Sequence, residues 1–405
     1  MDRIKKPLLL APVGDWKMLS TAIKAGADSI YFGIEKLNMR AKADNFKLED
    51  LQEISKICKE NNIETNLTLN TIIYEDELTD VEKILKKVKE AGIDSVICWD
   101  MSVVQKCKEL NIPFIISTQA SISNSEAAKF YQDLGAKRII LARECTLEKI
   151  KEIRQKVNIE IETFIHGAMC VAVSGRCFLS QSIFGESANR GECLQPCRRE
   201  FEIYDKQDDY SLLLGRDYVL SPKDLCTIEF IDKLIDAGID IFKIEGRKRS
   251  PEYIAKVVSI YRKAIDLHLE GKLSKEVKLE MLSELKKVYN RGFSSGFYFG
   301  IPEATEFAKK YGSQATTRKI YVGKVINYFR KTKIAHIRIE AEEIALKDKI
   351  LIIGNSTGVV EMDIPSMVID KKEVTSVHKG SDVTFPCKEI VRVNDQVYKI
   401  VSLIH

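Results

Sequence analysis

The sequence predicts a (β/α)8 barrel of the TIM type, with a cysteine-bearing insertion after its seventh strand and a small C-terminal antiparallel β-barrel domain. Three observations support this fold class. Helix-stopping Gly or Asn residues recur through the first 250 residues, each followed by a short apolar run. One interval between these stops is far longer than the others. Beyond about residue 317, helical periodicity gives way to short β-rich runs separated by Gly, Asn and Asp turns.

The eight predicted barrel strands follow from these helix-stopping residues. Gly and Asn tolerate the left-handed conformation that closes a helix C-terminus, and the stops are Gly26, Asn62, Gly92, Asn111, Gly135, Asn158 and Gly238. The predicted strands are residues 8–13, 29–33, 63–69, 95–99, 113–117, 138–142, 159–165 and 239–245. Most are continuous apolar runs, as expected of parallel strands buried on both faces. Amphipathic segments between them supply the crossover helices, so a closed barrel is favoured over the alternative, an open doubly wound sheet.

The longest interval between stops predicts the location of a functional insertion. Successive stops lie 19 to 36 residues apart, except that 80 residues separate Asn158 from Gly238. The insertion at about 167–225 therefore follows strand seven. Loops after barrel strands lie at the face where active sites of this fold are built, so the insertion is expected to cover the barrel mouth.

The chain is predicted to have three parts: a barrel over residues 1–270, a helical and basic-aromatic connector over 271–316, and a β-domain over 317–405. From Lys286 to Lys333 there are eleven Lys or Arg and two acidic residues. Ten aromatics are interleaved, among them Phe293, Phe297, Tyr298, Phe299, Tyr311 and Tyr328. Basic groups neutralise phosphates and aromatic faces stack on bases, so this stretch suits looped RNA. The alternative is a solvated linker whose aromatics pack a domain interface.

Composition excludes several protein classes. With 405 residues, 45% hydrophobic and 30% charged, the chain is an ordinary folded protein rather than a disordered or collagen-like one. The net charge of +4 says nothing about nucleic acid. No apolar run is long enough for a membrane span, and the N-terminus resembles a first strand more than a signal peptide. We expect a cytoplasmic protein.

Five of the ten cysteines fall within one short stretch of the insertion: Cys170, Cys177, Cys193, Cys197 and Cys226. Four thiolates can hold zinc or an iron–sulfur cluster. A zinc ribbon fits poorly because only Cys193 and Cys197 are closely spaced. Glu200 stands where radical adenosylmethionine chemistry needs a third cysteine. Cys226 is an alternative ligand or a core residue, and a set of reduced thiols without metal remains the structural alternative.

Polar residues that follow the strands are the candidates for catalysis and binding. His166, at the end of strand seven, is a candidate base or hydrogen-bond donor, or else a structural histidine. The remaining candidates are expected to point into the mouth: Arg40, Asn70, Gln119, Glu144, Glu245 and Arg247. Several arginines at a barrel mouth suit an anionic substrate. No HExxH motif occurs, so the common zinc-protease layout is absent.

The segment ETFIHGAMCVAVSGRCFLS (162–180) resembles the signature of the collagenase-like, PrtC-type peptidases, a family filed under "U" because its mechanism is unassigned. Further resemblance lies in RAKADNF (40–46), NRGECLQPCR (189–198), SPKDLC (221–226) and NRGFSSGFYFG (290–300). The resemblance covers about residues 7–300, and the β-domain resembles the tail of the longer members.

The resemblance implies RNA or ring hydroxylation rather than proteolysis. Relatives are linked to 5-hydroxyuridine at the tRNA wobble position, 5-hydroxycytidine in ribosomal RNA and hydroxylation of the ubiquinone ring, by oxygen-independent or prephenate-dependent routes. Several carry a [4Fe–4S] cluster, whose ligands here would be Cys170, Cys177, Cys193 and Cys197, with Cys226 as the alternate.

The favoured hypothesis is an iron–sulfur-dependent hydroxylase forming 5-hydroxyuridine in tRNA. His166, Glu245 and Arg247 would be catalytic, and Arg40, Asn70, Gln119 and Glu144 would bind substrate. Arg40 and Arg247 would anchor a small carboxylated co-substrate such as prephenate. The alternatives are a collagenase-like peptidase and an enzyme of quinone-ring hydroxylation.

Overall fold

Eight parallel strands form a closed barrel, which confirms the predicted fold class. The computed structural model describes residues 5–201, 220–308, 310 and 312–403. The strands up to residue 244 are β1 (Leu8–Pro12), β2 (Ser29–Phe32), β3 (Glu64–Thr68), β4 (Ser95–Cys98), β5 (Phe114–Ile116), β6 (Arg138–Ile140), β7 (Glu160–Gly167), β8 (Asp224–Cys226) and β9 (Ile241–Ile244). All except β8 belong to the barrel. Because β9 pairs in parallel with both β7 and β1, the sheet closes on itself and the open-sheet alternative is wrong.

Helices cross between the barrel strands as the periodicity predicts, and further helices lie in the insertion and after the last barrel strand. The helices of the described residues are α1 (Trp16–Lys24), α2 (Leu51–Glu60), α3 (Leu78–Ala91), α4 (Met101–Glu109), α5 (Ser125–Asp133), α6 (Leu147–Arg154), α7 (Leu179–Phe184), α8 (Ile231–Asp236), α9 (Pro251–Leu269) and α10 (Lys275–Leu285). Six of the seven predicted stops have positive φ; Asn158 does not. The helices therefore end where Gly or Asn can adopt the left-handed conformation.

The insertion runs from β7 to β9 and contains α7 and two short 3₁₀ turns, Ala188–Arg190 and Pro196–Arg198. Its residues 202–219 lie outside the described residues. Arg190 ties it to the opposite side of the mouth, where its guanidinium donates to the Glu77 carboxylate (2.9 Å). Gly191 has φ +85, and a Cβ there would lie 2.0 Å from the carbonyl oxygen of Asn38. The insertion thus rests on the loop that follows β2.

The C-terminal part is an antiparallel β-domain, as expected. After β10 (Phe293–Ser294), which pairs with β8, its strands are β11 (Thr317–Phe329), β12 (Ile334–Ile339), β13 (Ile344–Ala345), β14 (Lys349–Gly354), β15 (Gly358–Asp363), β16 (Met367–Ile369), β17 (Lys372–Val374), β18 (Ser376–Val377), β19 (Asp382–Pro386) and β20 (Gln396–Ser402). The main sheet has the order β15-β14-β20-β11-β12-β19-β16-β17. It encloses an apolar cluster separate from the barrel core.

A buried layer of charge lies inside the barrel. The guanidinium of Arg138 is fully buried and pairs with Glu64 (3.1 Å), Glu160 (3.0 Å) and Glu162 (3.4 Å). The Lys243 ammonium adds a second cation to the Glu162 carboxylate at 2.7 Å. Each charged group of this layer therefore has a partner of opposite charge, as a low-dielectric interior requires. Over the described ranges, no helix is both long and apolar enough to cross a membrane.

Candidate active site

The carboxyl ends of the barrel strands surround a cavity of about 130 Å³. This is the end of the fold at which loops after the strands build active sites. Side chains from strands, loops and insertion line the cavity together, including Tyr31, Arg40, Asn70, Gln119, Arg143, Phe164, Cys170, Cys193, Cys197, Arg198, Lys243, Glu245 and Arg247. The structure therefore gathers five of the polar candidates with three of the signature cysteines.

Glu245 is the acidic centre of the cavity. Its carboxylate accepts a hydrogen bond from Arg40 at 2.7 Å and lies 3.3 Å from the Tyr31 hydroxyl. Burial alone would raise its pKa, but Arg40 and then Arg143 outweigh burial and lower the pKa of Glu245 to about 2. The carboxylate is ionised at neutral pH. It can orient Arg40 or accept a hydrogen bond, but it cannot act as a general acid.

Arg247 is a buried cation held by neutral side chains. Its guanidinium donates to Asn38 (2.9 Å), Thr68 (3.2 Å) and Asn45. Burial lowers the pKa of Arg247 to about 10, so it stays charged at neutral pH. Its Nε lacks a hydrogen-bond partner among the described residues. This side chain is fixed in place and has hydrogen-bonding capacity left for an anion.

The two amide candidates form one network on the cavity wall. The Asn70 side-chain oxygen accepts a hydrogen bond from the Met39 main chain (3.2 Å), and its amide nitrogen donates to Ser117 (3.4 Å). The Ser117 hydroxyl donates in turn to the Gln119 side chain, whose amide donates to the Asn70 carbonyl (3.3 Å). Asn70 and Gln119 are thereby preorganised at the cavity, as a binding wall requires.

Three cysteines of the insertion, Cys170, Cys193 and Cys197, line the cavity. Cys170 is exposed, whereas Cys177, Cys193 and Cys197 are half-buried. Burial raises the pKa of the Cys197 thiol, and the neighbouring Arg198 guanidinium opposes that rise. Cys177 lies two residues beyond Gly175, which lines the cavity, and its main-chain nitrogen donates to Asn189 (2.9 Å).

The donor set of the insertion fits an iron–sulfur group in its chemistry, because four cysteine sulfurs are the usual ligands of such clusters. As the described residues are placed, they contain no group of three or more His, Cys, Asp or Glu side chains that could hold a metal ion.

The sequence profile of peptidase family U32 matches residues 14–308. This chain belongs to peptidase family U32. The match confirms the resemblance carried by the signature segment 162–180, because it spans the barrel, the insertion and most of the connector. The β-domain lies beyond it.

Relatives of this U32 protein carry names of two kinds. It is 40% identical to a "Collagenase" of Porphyromonas gingivalis over 96% of this chain and 97% of the relative. It is 44% identical to an "Uncharacterized protease" of Methanocaldococcus jannaschii over the same shares of the two chains. It is 37% identical to "tRNA hydroxylation protein P1" of Bacillus subtilis over 82% of this chain and 80% of the relative.

His166 does not face the cavity of this U32 protein. Side chains alternate along a strand, so His166 would follow Glu162 and Phe164 into the barrel. The pairing of β7 with β9 shifts register between Phe164 and His166, and this irregularity reverses the alternation. The imidazole Nδ1 instead lies 3.2 Å from the Tyr261 hydroxyl on α9, and burial lowers its pKa to about 4. His166 is placed as a neutral packing residue.

Two further candidates lie outside the cavity. Cys226 is buried on β8, opposite His166, with its sulfur 3.7 Å from the Tyr261 hydroxyl. Burial raises its pKa to about 12. Glu144 is exposed and borders a separate neighbouring cavity together with Cys170. The structure therefore separates Cys226 from the other four cysteines and Glu144 from the other polar candidates.

Several cavity cations escaped the sequence prediction. Lys243 lies on β9 with its ammonium 4.2 Å from the Tyr31 ring centre. Arg143 lies 3.8 Å over the Phe164 ring, and Arg198 donates to the Ser221 hydroxyl at 3.2 Å. The sequence could have identified Lys243, because a charged residue inside an apolar strand is almost never buried without a partner. The other two gave none, because loop residues carry no periodicity.

The basic-aromatic segment contributes more to packing than to open surface. Tyr298 is buried, and its hydroxyl donates to a main-chain carbonyl of β7 (2.8 Å). Phe293 packs against the barrel core. Phe299 and Phe329 remain 53% and 45% exposed, and Tyr311 lies outside the described residues. Among the described aromatics of this segment, these two rings are the most exposed.

Proposed function

We propose that this U32 protein hydroxylates RNA and forms 5-hydroxyuridine in tRNA. The observation that carries the proposal is the composition of the barrel mouth. In the described part of the chain, seven basic residues line the cavity against one acidic residue, Glu245, and three cysteines of the insertion border the same space. A cavity of this charge suits anionic ligands. The name of the Bacillus subtilis relative supports tRNA as the substrate.

Cys170, Cys177, Cys193 and Cys197 would hold a [4Fe–4S] cluster at the rim of the cavity. Such a cluster would supply one-electron transfer when bound. Replacing C5–H by C5–OH removes two electrons from the base, so the reaction also needs an oxygen donor and a two-electron acceptor, which the residues of the chain do not supply. The residues of the chain have a different task. They bind the anionic ligands, orient them and limit the access of water.

The proposed small co-substrate is prephenate, in a route that does not use molecular oxygen. Its two carboxylates require two cationic groups at fixed positions. Arg247 is held by three side-chain acceptors, and Arg40 is oriented by Glu245. Guanidinium groups bind carboxylates through paired hydrogen bonds. Lys248, which also lines the cavity, adds a further positive charge.

Peptidase activity is the second candidate, because two relatives are named as a collagenase and a protease. A cysteine or serine peptidase needs a base within hydrogen-bond reach of its nucleophile. The residues that line the cavity in the described part of the chain include no histidine. Glu245 is also a poor base, since Arg40 and Arg143 hold its pKa near 2.

The decisive experiment combines metal analysis with RNA analysis. Protein purified without oxygen should contain about four irons per chain, and Cys193→Ala should lose them. Cys387→Ala is the matched control, because Cys387 is buried in the β-domain. A gene-deletion strain should lack 5-hydroxyuridine in its tRNA nucleosides, and the wild-type gene should restore it.

Unchanged 5-hydroxyuridine in that strain would refute the tRNA assignment. Iron-free wild-type protein would refute the cluster. Cleavage of denatured collagen by protein that leaves tRNA unmodified would favour the peptidase.

A further inference from the structure

A second cavity, of about 540 Å³, lies where the barrel, the connector and the β-domain meet. Ser250, at the N-terminal end of α9, borders its upper side, and Leu351 on β14 and Ile400 on β20 border it from the β-domain. The volume falls within the range of small-molecule sites, and such sites occur preferentially at domain interfaces.

This interdomain cavity is adjacent to the barrel mouth. Arg249 lines the mouth, and the next residue, Ser250, lines the interdomain cavity. The Arg249 guanidinium lies 3.8 Å over the ring of Tyr289, which itself borders the interdomain cavity. Arg249 and Tyr289, which line different cavities, are therefore in direct contact with each other.

The interdomain cavity is lined by the residue types that bind a nucleotide: an aromatic ring, apolar side chains and basic groups. Tyr289 offers an aromatic ring, with Val288, Leu351 and Ile400 as further apolar wall. Five basic residues line the cavity against two acidic ones, Glu252 and Glu361. Both acids are engaged with lysines, Glu252 with Lys319 at 2.9 Å and Glu361 with Lys256 at 3.6 Å.

Arg318 is the cation that remains for a ligand. It is exposed at the cavity, and it forms no ion pair with a carboxylate anywhere in the described part of the chain. A guanidinium in this state can take a phosphate through two hydrogen bonds. Aromatic rings beside basic groups are the usual platform for unpaired bases.

A comparable cavity on the other side of the domain interface has an aromatic lining residue, Trp16, but lacks the net positive charge among its described lining residues. It has a volume of about 560 Å³ and lies between α1, α2 and the loop before β15. Its charged lining residues are Lys24, Asp50 and Glu53, which give a net negative charge. Size alone therefore does not make a nucleotide site here.

We propose that the interdomain cavity binds the RNA nucleotide adjacent to the one that enters the barrel mouth, with the base on Tyr289 and the phosphate on Arg318. This inference rests on the proposed RNA substrate and names a second contact for it. RNA loops are recognised through splayed bases that enter separate pockets, and the stacked Arg249–Tyr289 pair would divide two neighbouring bases.

The test measures binding of a fluorescent anticodon stem–loop RNA with uridine at the wobble position. Ala315→Trp places an indole into the cavity, and Arg318→Ala removes the free cation. Each should weaken binding about tenfold, the scale of one lost base contact. Ser356→Trp is the matched control, because it fills the other cavity, and it should bind as the wild type does. Thermal unfolding of all three variants checks that they fold.

The outcomes separate this inference from the proposed function. RNA binding by the wild type that Ala315→Trp and Arg318→Ala leave unchanged overturns the cavity assignment alone. Absence of RNA binding by the wild type overturns both. A 4-thiouridine next to the wobble position should also photo-crosslink to a peptide containing Tyr289, and a crosslink confined to peptides of the mouth would count against the cavity.

Discussion

Replacing Glu245 by Gln removes the carboxylate that pairs with Arg40 in the barrel-mouth cavity and leaves the Arg40 guanidinium without that ion-pair partner. The ionised form of Glu245 is favoured in the folded protein, where its pKa is about 2 against an ordinary value of 4.5. At about 1.4 kcal/mol per pH unit, this difference corresponds to about 3 kcal/mol of stability at neutral pH. The side chain is only 12% exposed, so solvent screens little of that energy.

The pH dependence distinguishes lost charge from lost packing. A carboxyl with a lowered folded-state pKa stabilises the protein above its unfolded-state pKa and loses that stabilisation as pH falls. The difference in unfolding free energy between wild type and Glu245→Gln should therefore be constant above about pH 5. It should shrink to roughly half by about pH 3.

Urea unfolding followed by tryptophan fluorescence measures this difference. Both tryptophans, Trp16 and Trp99, lie in the barrel, so the signal reports the domain that contains Glu245. Asp382→Asn is the control, because the Arg338–Asp382 pair is exposed and should contribute far less. A Glu245→Gln penalty that is equally large at pH 7 and pH 3 would refute the electrostatic reasoning.

Three other perturbations test the fold and the site. Glu162→Gln should cost about 3–5 kcal/mol of unfolding free energy because it strands the buried Lys243 ammonium. Glu162→Gln/Lys243→Met should recover much of that loss, and a single-variant loss near zero in urea unfolding would contradict the buried-pair argument. His166→Gln should leave the pH profile of tRNA hydroxylation the same as that of the wild type between pH 6 and 8, since the pKa of His166 is about 4; a profile altered in that interval would restore His166 as a base. Gly191→Ala should loosen the insertion, since a Cβ there meets the Asn38 carbonyl oxygen at 2.0 Å, and trypsin should then cleave the insertion faster than in the wild type; an equal rate would show that the contact is not needed.

The barrel was predictable because its signals are local. An apolar run followed by an amphipathic helix and a Gly or Asn stop is specified within each βα unit, and six of the seven stops adopt the expected positive φ. At the exception, Asn158, the main-chain N–H instead donates a hydrogen bond to the Gln132 side-chain oxygen (2.9 Å), a contact between residues far apart in sequence.

The candidate site was predictable only in part. Arg40, Glu245 and Arg247 reach the cavity because strand ends of a barrel point their loops toward one mouth. His166 was expected to face the same mouth, but one extra residue in the pairing of β7 with β9 turns its side chain toward α9. A shift of this kind leaves no trace in the composition of the strand.

The sequence by itself determined the eight βα units, the place of the insertion and the residue types at the mouth, because periodicity, helix stops and strand ends are properties of neighbouring residues. Tertiary structure alone decided which side chains share a cavity. The Arg40–Glu245 pair, the stack of Arg249 on Tyr289 and the cavity beside Arg318 each join segments distant along the chain. Their geometry depends on how the barrel closes and where the β-domain docks, and no local pattern encodes either.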